Sequence, residues 1–410
     1  MTTQPKLKRV VTTWMLALYG TGNIIGAGVY VLIGKIAEPA GYLSVLAFLV
    51  AAVVAFCAAL SYAELASRFP VSAGVAVYLH EAFKKPRLST AIGLFLVVAG
   101  AVSIATLLKG FAGYFVELVP VSPLLVMAVA ILILLAITIK GVKESVGFAA
   151  ILTAVEVGGL LFLIGSILFS QPSAIGDFSG HFVESLGGID AAAMAGIASA
   201  AFIAFYAFIG FEDMVNIAEE VKEPQRAFPR AIMIAMVTVT LLYILVAVTV
   251  LGVVTPGALG GQSAPLAHAY SSATGNSAGV IIVVSLIATL NGIIVNMIMG
   301  SRFLYGMARR GWIPAWFGKV SGRHVPTRGL WVVALVALGS AVMLPISQLA
   351  QLTSLLLLFV FFAVNLSLVI IRRRDTKESF HMRLSHPVVP WFGVLASGAL
   401  LVAQAMSSLF

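Results

Sequence analysis

An all-α integral membrane protein of about eleven transmembrane helices is the fold this sequence predicts, and three observations carry that reading. Of 410 residues, 60% are hydrophobic and only 10% charged, and the mean hydropathy is +1.07, values that a water-soluble globule of this size does not tolerate. Apolar runs of roughly 20 residues, the length that crosses a bilayer, recur along the chain without the alternation of barrel strands. Basic residues then collect in every second connection between those runs, the asymmetry that orients membrane helices.

The apolar segments cover, in order, residues 13–34, 40–67, 89–117, 122–140, 146–169, 191–219, 228–254, 278–308, 329–345, 348–371 and 388–408. Alternate connections hold Lys6, Lys8 and Arg9; Arg68, Lys84, Lys85 and Arg87; Lys140 and Lys143; Lys222, Arg226 and Arg230; Arg302 through Arg328; and Arg372 through Arg383, with only Lys35 and Lys109 elsewhere. The N-terminus is therefore expected in the cytoplasm and the C-terminus, after an odd number of crossings, outside a cell membrane. "MTTQPKLKRVV" is too basic and too closely joined to a full-length span for a cleaved signal peptide. The net charge of +9 reflects this orientation, not nucleic-acid binding. The single cysteine, Cys57, excludes an intramolecular disulfide and leaves the redox compartment open.

Two segments break the helical rule. "GTGNIIGAGVYVLIG", Gly20 to Gly34, places five glycines and an asparagine in the first span, although glycine costs about 1 kcal/mol against alanine inside a helix. "FYAFIGFEDMVNIAEE", Phe205 to Glu220, repeats the oddity in the sixth. Each is the first member of a group of five spans, and an odd group size makes the two groups enter the membrane from opposite sides. Inverted repeats with paired discontinuous helices are built this way, with a binding site near the midplane. The expected organisation is a single transmembrane domain: repeat one at about 10–170, repeat two at about 190–372 and an extra helix at about 388–408. The halves share no other visible likeness, so position alone supports the repeat.

Four motifs, "GNIIGAGVYVL", "ALSYAELASRFPVSAGVAVYLHEAF", "GFEDMVNIAEEVKEPQRAFPRAI" and "SRFLYGMARRGWIP", occur in this order over most of the chain. By these the sequence resembles the amino acid-polyamine-organocation permease superfamily, whose members share the leucine-transporter type of 5+5 fold. Many members have a twelfth helix that this chain lacks, so no family dimer interface is carried over. The resemblance implies a secondary active amino acid transporter working by alternating access, with helices one, two, six and seven rocking against the rest. Proton-linked symport is expected. An amino acid/polyamine exchanger, a sodium-coupled carrier and a non-transporting amino acid sensor with the same fold are the alternatives.

A broken helix frees backbone groups that lipid cannot satisfy. The half-helix starting around Gly26, Ala27 and Gly28 would offer free N–H groups and a positive dipole end to a carboxylate. The carbonyls around Tyr206 to Ile209 would suit an ammonium, so the pair of breaks fits a zwitterion. The resemblance implies the same placement, with the carboxylate near Ile25 to Gly28 and the amino group on carbonyls near Ile24, Tyr206 and Ile209. A plainer reading of the glycines is close packing, since Gly22 and Gly26 have small-xxx-small spacing. Phe208, Tyr206 and Ile293 in "TLNGIIVN" make the pocket apolar and slightly favour a neutral amino acid over a polyamine or arginine.

Glu212, just past Gly210, is a carboxylate whose placement at helix centre costs roughly 2.5–3.5 kcal/mol on an insertion scale. The resemblance implies that it ties the broken helix to its neighbours and moves with gating or protonation. Asp213 is expected to face a water-filled cavity. Glu156 lies about ten residues, or roughly 15 Å, into the fifth span. Several proton-coupled relatives carry a lysine hereabouts, so a carboxylate departs from the pattern and their coupling mechanism is not carried over. Three readings stay open for Glu156: proton carrier, ligand or counter-charge for a cation, and structural partner of another polar group. Lys109 would reach it only if the third helix tilts strongly. Asn291 and Asn296 are expected in interhelical hydrogen bonds, and Glu64 and Arg68 in a local ion pair before Pro70 ends the helix.

"GNSAG" at Gly275 to Gly279 fits the nucleophile-elbow pattern but lies in an outer loop, without the required strand before it. None of the six histidines falls at a membrane centre. No metal-ligand spacing and no ATP-binding motif is present. The expectation is a protein that is not an enzyme, with no metal and no cofactor, whose partners are an amino acid, protons and membrane lipid.

Overall fold

The computed structural model describes residues 9, 11–26, 28–70, 74–139, 146–320, 325–374 and 384–407, and these form helices with short connections. Ala27 and the cations Lys6, Lys8, Lys140, Lys143, Arg323, Lys377 and Arg383 lie outside the described residues. The expected first span is two helices, α1 (Thr13–Ile25) and α2 (Val29–Ala40). The second is α3 (Ser44–Arg68), reached through a turn at Gly41, whose φ of 57° is left-handed. After it come a short α4 (Gly74–Phe83) and the third to fifth spans, α5 (Pro86–Leu118), α6 (Pro123–Ile139) and α7 (Val146–Ser170).

The second half opens with α8 (Ala174–Gly187), a helix in what the sequence presents as a plain connection. The sixth span is α9 (Ala191–Ala207) followed by a 3-10 stretch, Phe211–Glu220. Then come α10 (Pro224–Leu251), two short helices α11 (Pro256–Gly260) and α12 (Pro265–Thr274), α13 (Gly279–Arg309), α14 (Thr327–Met343), α15 (Ile346–Arg372) and α16 (Val388–Ser407). Among the described residues, seven helical stretches are long and apolar enough to cross a membrane, and three shorter apolar helices accompany them. Pro229 sits inside α10, and the Gln225 carbonyl one turn back, which it cannot use, receives Ser67 Oγ at 3.5 Å.

α5 and α13, with 33 and 31 residues, are the longest helices and lie along each other. At 1.5 Å per residue each exceeds about 45 Å, so each crosses the roughly 30 Å hydrocarbon layer tilted or with an end beyond it. α3 packs on both α9 and α10, α1, α7 and α10 pack together, and α15 lies against α5 and α16. At the C-terminal end of α3 the expected Glu64–Arg68 pair forms at 2.6 Å. The same buried carboxylate also accepts from Arg372 of α15 through Nε at 2.9 Å and through Nη2, and from the Leu384 N–H at 2.9 Å. One turn higher Ser61 Oγ donates to Asn365 Oδ1 at 2.6 Å. Ahead of α1, Val11 pairs with Val221 in a parallel bridge, and the Lys222 N–H donates to the Val11 carbonyl at 2.9 Å.

Candidate functional site

Both interrupted helices are interrupted at the residues their composition marks, but each gap is closed differently. In the first, the Gly26 N–H donates to Gly22 O at 2.9 Å and the Gly28 N–H to Ile25 O at 3.2 Å. These donors are not free, contrary to the expectation, because the chain turns tightly enough to use them itself. The ladder of α2 begins with Leu32 N–H to Gly28 O at 3.0 Å. The groups left without an intrahelical acceptor are therefore those of Val29, Tyr30 and Val31, slightly beyond the expected place. Gly22 and Gly26 also serve packing: a Cβ on Gly22 would meet Thr153 Oγ1 of α7 at 2.0 Å, and one on Gly26 the Ala288 carbonyl of α13 at 3.1 Å.

In the second gap Gly210 adopts φ 130°, which side-chain-bearing residues rarely reach. Its N–H donates to Glu212 Oε2 at 2.9 Å, so this carboxylate caps its own break. The link to a neighbouring helix comes from Asn23 of α1, whose Nδ2 donates to Gly210 O at 2.8 Å and Asp213 Oδ2 at 3.0 Å. The gaps touch. A Cβ on Gly210 would lie 2.8 Å from the Asn23 carbonyl, and one on Gly28 would lie 2.7 Å from Ala207 and 2.6 Å from the Tyr243 hydroxyl. That hydroxyl, from α10, stands 3.0 Å from Ile24 O and 2.9 Å from Ala207 O, and serves one carbonyl of each broken helix. The Ile24 carbonyl expected to receive an ammonium thus has a donor already, and the Tyr206 carbonyl takes the Ile209 N–H at 3.2 Å.

Beside the first break, Glu156 of α7 is fully buried. Its Oε1 accepts from Asn291 Nδ2 of α13 at 3.1 Å, while Oε2 is buried without a hydrogen-bond partner among the described residues. An unmet buried acceptor costs about 1–3 kcal/mol, more if charged. The backbone carbonyl of Glu156 accepts from Tyr30 Oη at 2.7 Å, and the Tyr30 carbonyl from Tyr114 Oη at 2.6 Å, so the carboxylate's backbone is braced from α2 and α5. Lys109 is not its partner. Asn291 makes the expected interhelical bond, whereas the hydrogen bond of Asn296 stays inside α13, to Gly292 O at 2.9 Å.

A small cavity of about 30 Å³ adjoins the second break between α5, α13 and α15. Its walls include Ser103, Ile209, Glu212, Asp213 and Asn296. Asp213 therefore meets a cavity, as expected. Of the residues proposed from sequence for substrate, Ile209 lines it. Ile24, Ile25, Tyr206, Phe208 and Ile293 are buried in side-chain packing, Gly26 and Gly28 in backbone contacts. Phe208 stacks edge-on against Tyr243, and Tyr206 Oη lies 2.9 Å from Ser103 Oγ. Among the described residues no group of three His, Cys, Asp or Glu side chains could hold a metal.

The family model described as "Amino acid permease" matches residues 11–408, which includes both broken helices and every helix packed on them. The chain belongs to the amino acid permease family. The methylthioribose transporter of Bacillus subtilis is 28% identical to this permease over 96% of the chain and 87% of that protein. A branched-chain amino acid permease of the same organism is 27% identical over the same shares. A vacuolar cationic amino acid transporter of Arabidopsis thaliana is 31% identical over 87% of the chain and 62% of that longer protein.

Sequence reasoning missed two members of this candidate site, Asn23 and Tyr243, and named Asn291 without its partner. Asn23 was visible as the asparagine inside the glycine-rich stretch, a side chain that membrane helices retain for a hydrogen bond. The pairing of Asn291 with Glu156 was available from two polar residues at similar depth. Tyr243 gave no signal, because one tyrosine in the apolar run "TLLYILVAVTV" reads as core.

Proposed function

We propose that this permease moves an amino acid by alternating access, with a neutral one slightly preferred, and couples the movement to protons through Glu156. The substrate would bind where the breaks now touch, its carboxylate toward the donors at Gly26 to Tyr30 and its amino group toward the carbonyls of Ile24, Ala207 and Ile209. Ala27 belongs to this proposal but lies outside the described residues. For substrate to enter, Tyr243 must release at least one carbonyl, and the Gly28–Ala207 contact must open. The inverted repeat supplies the motion: helices one, two, six and seven rock against the others, with the N-terminus cytoplasmic in a cell membrane.

The observation carrying the proton assignment is Glu156 Oε2, buried and without a partner next to the first break. A carboxyl there is served best by a proton of its own, and release of that proton when the helices part would link the gradient to the cycle. The test is uptake of labelled amino acids into proteoliposomes under an imposed pH gradient, wild type against Glu156→Gln. Gradient-driven accumulation should vanish in the variant while exchange across the membrane persists. Undiminished accumulation removes Glu156 from coupling, and binding without any transport replaces the permease with a sensor.

One observation favours a second reading, amino acid/polyamine exchange. Glu212 and Asp213 line one cavity and form no ion pair with a described residue. The relatives named as cationic amino acid transporters point the same way. Competition by a diamine against labelled leucine in the same vesicles separates the two.

A further inference from the structure

We propose that the connection between α13 and α14 is a docking surface for the phosphate headgroup of an anionic phospholipid. Its placement at the inner leaflet rests on the orientation proposed above. From Arg302 to Arg328 the chain holds six lysines and arginines and no acidic residue. Each of the described connections elsewhere on this side holds at least one cation paired with a carboxylate: Lys84 with Glu81, Arg226 with Glu223 at 3.6 Å, and both Arg68 and Arg372 with Glu64. Among the described residues, Arg302, Arg309, Arg310, Lys319 and Arg328 form no ion pair. Among the described residues, this connection alone presents as many as five cations without a counter-charge from the protein.

The aromatic residues match the charge. All five tryptophans, Trp14, Trp312, Trp316, Trp331 and Trp391, stand beside the basic connections and none beside the opposite ones. Three of them fall between Arg310 and α14's first turns. The Arg328 guanidinium lies 4.9 Å over the Trp316 ring, with Nη1 donating to the Trp316 carbonyl at 3.1 Å, and Arg310 lies 5.3 Å over Trp312. Trp316 and Trp331 remain about half exposed, and Val320 is exposed with them.

An indole seeks the headgroup level of a bilayer because one edge is polar and the rest apolar. A guanidinium stacked on such a ring is held flat, with N–H groups left over for a phosphate, which it grips in a bidentate fork. General attraction to a charged leaflet would need only the cations. The stacked pairs, one of them fixed by a hydrogen bond to backbone, add the geometry of a defined seat.

The experiment is native mass spectrometry of the purified full chain in detergent, with phosphatidylglycerol or phosphatidylcholine added in parallel. Wild type should retain phosphatidylglycerol selectively. Arg328→Gln and Trp316→Ala should each lower the bound fraction about fivefold, the effect of roughly 1 kcal/mol per group at a charged surface. Arg226→Gln, on another connection, should retain it. Lys319→Gln and Arg310→Gln, at exposed positions, provide the same readout should either first variant melt early. Unchanged retention in these variants, equal retention of phosphatidylcholine, or displacement by soluble glycerol phosphate each overturns the proposal. The readout needs no cargo, so its failure leaves the transport reading standing and the reverse also holds.

Discussion

The two breaks solve the same problem by different means. At the first, the backbone consumes its own donors through turns at Gly26 and Gly28, and glycines let α1 and α2 lie against α7, α13 and Ala207. At the second, a left-handed glycine opens the chain and a carboxylate two residues on closes it electrostatically. The first gap is thus governed by shape and the second by charge. Shape alone gives a fixed contact, whereas a carboxylate cap can be altered by a proton or a cation. The second break is therefore expected to be the one whose closure a proton or cation loosens, and the first to be the surface it packs upon as both helices move together.

Substitutions that exaggerate one mechanism at a time break this comparison most directly. Gly210→Ala should have the largest effect: it combines a disfavoured φ with contacts of 2.8–2.9 Å to the Asn23–Ile24 backbone. A loss of about 3 kcal/mol or more is expected, with transport abolished and the melting temperature lowered in detergent. Glu212→Ala should come next, at about 2 kcal/mol, because it leaves the buried Gly210 N–H unpaired. Glu212→Gln keeps an acceptor there and should restore most of the melting temperature without restoring transport; full transport by it would show that the charge is immaterial.

Smaller effects sharpen the contrast. Tyr243→Phe removes the hydroxyl that bridges Ile24 and Ala207, and should cost about 1 kcal/mol while raising the rate at which a thiol probe reaches a cysteine placed at Gly28. A rate no faster than that of the Gly28→Cys protein itself would mean that Tyr243 does not hold the gaps together. Gly26→Ala should be mildest, under about 1 kcal/mol, since a Cβ there needs its neighbours to give only a few tenths of an ångström. Melting curves check the order, and Gly26→Ala more damaging than Gly210→Ala would invert the comparison.

Most of the fold was legible because lipid leaves one solution for a spanning backbone. The helix ends at α5, α6, α7, α13 and α15 fall within a few residues of the apolar boundaries. The helices α4 and α8 were not, since helices of 10 and 14 residues carry no span-length signal. The breaks themselves were legible, because glycine and polar residues gather in two spans at corresponding positions, a match that packing alone does not require. Their closure was not: which carbonyl Tyr243 takes, or that Gly26 spends its N–H locally, depends on a tertiary approach of α10 and on turn geometry that composition leaves open. Glu156 was conspicuous as a lone carboxylate, but Asn291 as its partner required the contact between α7 and α13.

The strand-like pairing of Val11 with Val221 joins the chain just ahead of α1 to the chain just after the 3-10 stretch. Two levers with their own fulcrums thereby share a drawbar at their free ends. A pull on either would reach the other without passing through whatever lies between the fulcrums, so the two are expected to swing in step.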